Sequence, residues 1–261
     1  MMLRIFLLIS ALFSVPSAFA EDAVLAPVSR QEIRDIQSKL KVEMIGEAHT
    51  TEAFRILSIL KNIQISDAPL EGRYNQNIVG TDFWGFLTKR IHAISEAPAE
   101  DGHCERGAMA YVDQGASPNI AFVCPLFFEK FYSDYEKASV LLHEARHTEG
   151  YPHVMCLAGN KAAASGGCDE RIEDQGAYAV TTETMAKIAL RGINVPEDER
   201  NKMRLSLLSY LDSFNELVNG IGNSGIYLES QDGKQAYIYD GVALTSVPKL
   251  ANTHMVSRAV S

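Results

Sequence analysis

His143-Glu144-Ala145-Arg146-His147-Thr148-Glu149-Gly150-Tyr151-Pro152-His153 spells HExxH and its longer form, HExxHxxGxxH. Two histidines four residues apart on a helix project from one face about one turn apart, which suits two imidazoles meeting one metal ion. Glu144 stands beside them, where a carboxylate can take a proton from a metal-bound water. Gly150 can adopt the left-handed backbone that ends a helix, so the chain can turn back and bring His153 to the same ion. Three neutral imidazoles with one open position make a catalytic rather than a structural zinc site.

The residues before the motif predict the helix that carries it. Ser133-Asp134-Tyr135-Glu136 reads as a capping box, with Ser133 as N-cap and Glu136 three residues on. Ala138, Val140, Leu141, Leu142 and Ala145 follow at spacings that bury one side of a helix.

With these residues in place, the pattern resembles the zincin metallopeptidases, and the HExxHxxGxxH form resembles their metzincin branch. The resemblance implies one Zn2+ ion held by His143, His147 and His153, with Glu144 as the catalytic general base. It also implies a methionine in a tight turn beneath the metal. Met185 and Met203 are the downstream methionines in range, and both fall in stretches that read as helix. Further on, Glu170-Arg171-Ile172-Glu173-Asp174 is similar to the gluzincin ExxxD arrangement, in which a helical glutamate binds zinc and the aspartate hydrogen-bonds a ligand histidine. A ligand at Asp169 would resemble the aspzincins. Asp169, Glu170 and Asp174 thus stand as alternative third ligands, as partners that fix histidine tautomers, or as a charged first helical turn. Spacing and the preceding glycine favour His153.

Around the motif, helical patterns run over Ser29–Leu40, Thr50–Ile63 and Thr81–Ile94, the last carrying the only tryptophan, Trp84. Gly107–Val112 and Asn119–Cys124 are β-rich and flank a turn-rich link, which suggests a hairpin. Strand followed by HExxH helix is the zincin order, and the resemblance implies an edge strand lining a substrate cleft, to which a peptide can add by backbone hydrogen bonds. A long helix is predicted from about Asp169 to Leu190, and another from Pro196 to Gly220. Tyr178, on the first of these, is either an oxyanion stabiliser at the metal or a buried core tyrosine. A hairpin of Ile226–Glu229 and Gln235–Tyr239 about Asp232-Gly233 closes the pattern. His49, His92, His103 and His254 are isolated, and only His103, beside Cys104, is a candidate neighbour of the cleft.

Met1 to Ala20 reads as a secretory signal peptide, with Arg4, an apolar run from Ile5 to Val15, and Ala18-Phe19-Ala20 before Glu21. Removing it would leave 261 − 20 = 241 residues and shift the net charge from −9 to −10 through loss of Arg4. So acidic a chain is not built to hold nucleic acid through basic patches. No later stretch approaches the length of a membrane-spanning helix. Four cysteines in an exported chain argue for disulfides, and the close pairs Cys104–Cys124 and Cys156–Cys168 are favoured over a Cys/His zinc site because no CxxC pair exists.

The predicted molecule is an exported, periplasmic or secreted, single-domain protein over residues 21–261. Its expected class is α+β, zincin-like, mainly helical, with a small sheet packed on the HExxH helix. The expected function is hydrolysis of peptide bonds in a peptide or protein substrate by a Glu-assisted zinc-bound water. The alternative is a non-hydrolytic zinc-binding envelope protein: an assembly factor, a metal buffer or a peptide-binding inactive peptidase. Nothing in the sequence fixes an oligomeric state.

Overall fold

Strands of three or four residues, each with a β-branched residue, build a four-stranded mixed sheet: β1 (Lys41–Glu43), β2 (Ala93–Glu96), β3 (Ala110–Val112) and β4 (Ile120–Val123), in the order β1-β2-β4-β3. β1 pairs parallel with β2, and β2 with β4. β3 returns antiparallel on β4, with Tyr111 opposite Phe122, and forms one edge of the sheet. Parallel neighbours need a long crossover, supplied between β1 and β2 by α2 (Glu47–Asn62) and α3 (Phe83–Thr88). The computed structural model describes residues 27–70, 74–156 and 167–215 together with three further strands. The expected signal segment and His254 lie outside the described residues.

The remaining helices are α1 (Arg30–Gln37), the single turn α4 (Gly102–Glu105), α5 (Asp134–His147), α6 (Ala177–Arg191) and α7 (Glu197–Tyr210). The capping box that starts α5 forms as expected: Ser133 Oγ accepts from the Glu136 amide, and Glu136 Oε2 accepts from the Ser133 amide. α5 packs on β3 and β4 and also against α2, α3, α6 and α7, so nearly all of it is buried. Burial on every face means that its polar residues need partners. Lys137 Nζ donates to Glu52 Oε1 at 2.5 Å, and Ser139 Oγ donates to the Glu136 carbonyl. In α6, Glu183 is fully buried; its carboxylate accepts from the amides of Ile78 and Val79 and from Lys187 Nζ, which also donates to the Gly80 carbonyl. One continuous apolar core, including Leu57, Phe83, Ile94, Val123, Leu141 and Met185, joins the helices to the sheet.

The class is α+β, with a small sheet against the HExxH helix. Several boundaries differ from the sequence reading. The expected helix Thr81–Ile94 splits: Asp82 caps α3, which ends at Thr88, and Ala93–Glu96 become β2. Its last residues are drawn into the slot between two parallel neighbours, where His92 donates to the Asn119 carbonyl and accepts from the Lys41 amide. The expected helix from Asp169 begins only at Ala177. Asp169 exchanges backbone bonds with Ser213 and Asn215, a 3-10 turn covers Ile172–Asp174, and Gln175 is left-handed (φ 57°). The helix expected to reach Gly220 ends at Tyr210 and passes into a 3-10 turn at Leu211–Ser213. The C-terminal hairpin is present as β5 (Ile226–Glu229) and β6 (Ala236–Tyr239), extended by a third antiparallel strand, β7 (Leu244–Val247). Met185 and Met203 are both buried within helices, so neither occupies a turn.

Both expected disulfides form, Cys104–Cys124 and Cys156–Cys168. Among the described residues, no helix is long and apolar enough to cross a membrane.

Candidate metal centre

His143 and His147 lie one turn apart on α5, and Nε2 of one is 3.2 Å from Nε2 of the other. After His147 the helix stops in a turn: the Gly150 amide donates to the His147 carbonyl, and Gly150 takes φ +83°, a conformation open to glycine without strain. Arg146 fastens that turn. Its guanidinium pairs with Glu149, donates to the Gln175 carbonyl at 2.8 Å and covers the Tyr151 ring at 3.6 Å. Arg90 grips Glu149 from α3's side of the molecule at 2.7 Å. The chain then brings His153 back, with Nε2 3.1 Å from that of His143. One ligand nitrogen from each of the three histidines lies within 4.8 Å of the others.

Each ring is oriented from behind. His147 Nδ1 donates to the Tyr151 carbonyl (2.6 Å), and His153 Nδ1 donates to Asp169 Oδ1 (3.1 Å). His143 Nδ1 meets Thr181 Oγ1 at 2.9 Å, and that hydroxyl in turn donates to the Ala177 carbonyl. With all three Nδ1 atoms carrying the proton, the three Nε2 lone pairs are left to converge. Burial and the neighbouring imidazoles lower the His143 pKa, and the same causes bring His147 down to about 4. His143 and His147 are therefore neutral at pH 7, the state in which imidazole ligates a metal.

Glu144 follows His143 on α5 and is buried. Its Oε2 has no hydrogen-bond partner, and burial pushes the carboxyl up to about 8. Tyr178 lies against the cluster, its ring stacked on His153 (centroids 4.6 Å apart) and edge-on to His143 (4.8 Å). A tetrahedral zinc with Zn–N bonds of about 2.0–2.1 Å sets its ligand nitrogens about 3.3 Å apart. The closest pairs here, at 3.1 and 3.2 Å, suit that spacing. The three histidines can thus hold a metal ion.

The carboxylates considered as third ligands take other places. Asp169 sits behind His153, with Oδ2 accepting from the Tyr178 amide at the start of α6. Glu170 is exposed and accepts from Asn215 Nδ2 at 3.1 Å. Asp174 pairs with Arg171 on the 3-10 turn. Among the described residues, no carboxylate joins the cluster. His103 stacks on Tyr111 of the edge strand at 4.2 Å, while His49 pairs with Glu96 and stacks on Phe128. Two further contacts had no signal in the sequence: Thr181 behind His143, and Gln114 of the β3–β4 turn, whose Nε2 donates to the His147 carbonyl at 2.8 Å.

Compared with known proteins, the chain matches no family model, no curated protein and no solved structure.

Proposed function

We propose that this chain is an exported zinc-dependent peptidase of zincin type. The observation that carries the reading is three imidazoles converging through Nε2, with Glu144, the residue after the first of them on α5, a buried carboxylate with an unpartnered oxygen. A mixed sheet with an antiparallel edge strand ahead of the HExxH helix, and two disulfides, support the same reading. An all-imidazole donor set suits zinc.

Bound there, zinc would lower the pKa of a water toward neutrality and polarise the scissile carbonyl. The chain's own residues do the rest. His143, His147 and His153 hold the ion, their rings fixed by Thr181, the Tyr151 carbonyl and Asp169. Glu144 takes the proton from the attacking water and returns it to the leaving amine. Tyr178, against His143 and His153, is the proposed donor to the oxyanion. The outer edge of β3 offers backbone groups to an extended peptide.

Glu144→Gln separates a peptidase from a protein that only binds metal. The variant should fold and carry about one zinc like the parent, because no ligand changes. Cleavage of a diverse peptide library, read by mass spectrometry, should fall by about 10²–10⁴-fold. A zinc-loaded parent that cuts nothing would favour the non-hydrolytic reading, and equal cutting by parent and variant would remove Glu144 as the base.

A further inference from the structure

Of the three converging histidines, two stand on a capped, buried helix, and the third stands on loop backbone that depends on other supports. His153 is followed by Val154, which exchanges two backbone hydrogen bonds with Cys168 (2.7 and 2.9 Å). Two residues further, Cys156 is bonded to Cys168, with Cα atoms 5.0 Å apart. Gly167 passes directly against His153: a Cβ at that position would lie 2.5 Å from the His153 Cβ. Asp169, which orients the His153 ring, is the next residue after Cys168. The ligand and its orienting carboxylate therefore sit on the two segments that this one bridge ties together. Cys168 is fully buried, whereas Cys156 is half-buried and follows Met155, which is 90% exposed.

We infer that the Cys156–Cys168 disulfide is a positioning element for His153, and that reducing it weakens metal binding while the fold persists. The inference rests on the three-histidine metal site proposed above. A thiolate of a dithiol reductant attacks Cys156 Sγ, and Cys168 Sγ leaves as a thiolate that takes up a proton. The reductant's second thiolate then attacks the mixed disulfide and frees Cys156, which is protonated. Two electrons and two protons pass to the protein, and the dithiol becomes a disulfide. His153 then keeps the stacking of Tyr178, its contact with Asp169 and the packing of Gly167, while its segment keeps the two Val154–Cys168 backbone bonds and the Asn215 Nδ2 bond to the Met155 carbonyl. His143 and His147 lose none of their supports.

The test is zinc affinity by competition with a chromophoric chelator, with circular dichroism recorded on each sample. Reduction of the wild type, and separately the Cys156→Ser/Cys168→Ser variant, should weaken zinc binding by about 10–100-fold, the usual effect of removing a group that orients a ligand, with an unchanged spectrum. Cys104→Ser/Cys124→Ser should stay near the parent. In a His153→Ala background, removing the Cys156–Cys168 bridge should change affinity little, because its route of action is already gone. The inference is overturned by unchanged or tighter binding after reduction, by an equal loss on removing Cys104–Cys124, or by full additivity with His153→Ala. Loss of the folded spectrum on reduction also overturns it, since the bridge would then hold the fold rather than the ligand. Oxidised wild type that binds no zinc overturns the metal site itself, a different result from tight binding that ignores reduction.

Discussion

His153 and Glu170 make the sharpest contrast among single residues. His153 points Nε2 into the cluster, whereas Glu170 is exposed and bonded to Asn215. His153→Ala should cost zinc affinity well beyond the roughly 10–100-fold of an orienting group, and Glu170→Ala should stay near the parent. Isothermal titration with zinc checks both, and the reverse order would move the third ligand to the carboxylate. The cluster of three histidines was legible because its spacing encodes geometry: four residues on a helix, then a glycine and a return. Thr181 was not. A helical threonine bonded back to the carbonyl four residues earlier looks the same in sequence whether or not a histidine leans on it. Asp169 was legible only as one of several carboxylates, and its role follows from a pairing with Ser213 and Asn215 that no local pattern announces.

At the scale of elements, the start of α6 carries the most consequence. Its first turn has no side-chain cap of its own. Instead the Asp169 carboxylate closes it, accepting from the Tyr178 amide while also holding His153. Gly176 makes room for this: a Cβ there would lie 2.3 Å from Asp169 Oδ2. Gly176→Ala should therefore destabilise the protein by about 1–3 kcal/mol and weaken zinc binding at the same time. Denaturant unfolding and zinc titration on one preparation check the pair of effects; a loss of stability with full zinc affinity would separate the cap from the ligand. α5, β3 and β4 were legible in the sequence because their signals are local: a capping box, alternation and a turn. β1 and β2 were not, because strands this short owe their existence to parallel partners far along the chain. Asp169 reads as part of the helix because charge at a helix start looks alike whether it lies in the first turn or caps it from outside.

For the whole molecule, the buried site makes stability depend on pH. In metal-free protein His147 titrates near 4, against 6.5 for an ordinary histidine. Unfolded chain therefore binds the extra proton first, and this contribution to stability is present above pH 6.5 and lost as pH falls toward 4. Glu144 has the opposite sign. Its pKa is raised from 4.5 to about 8, so its contribution is full below 4.5 and lost as pH rises through 8. Metal-free Glu144→Gln should accordingly match the parent's stability slope below pH 4.5 and be more stable than the parent above pH 8, by an amount on the order of a few kcal/mol. Denaturant midpoints of chelated protein across that range provide the measurement, and equal midpoints above pH 8 would place the buried charge elsewhere.

Gln114 ties the edge of the sheet to the helix that carries His143 and His147. Its amide, at the tip of the β3–β4 turn, holds the last carbonyl of the helix that carries His147. On the proposed reading, a peptide laid along β3 would be joined through that single hydrogen bond to the backbone beneath His147. Such coupling would run equally in both directions: whatever a bound ion contributed to the rigidity of the edge, an occupant of the edge would return as affinity for the ion.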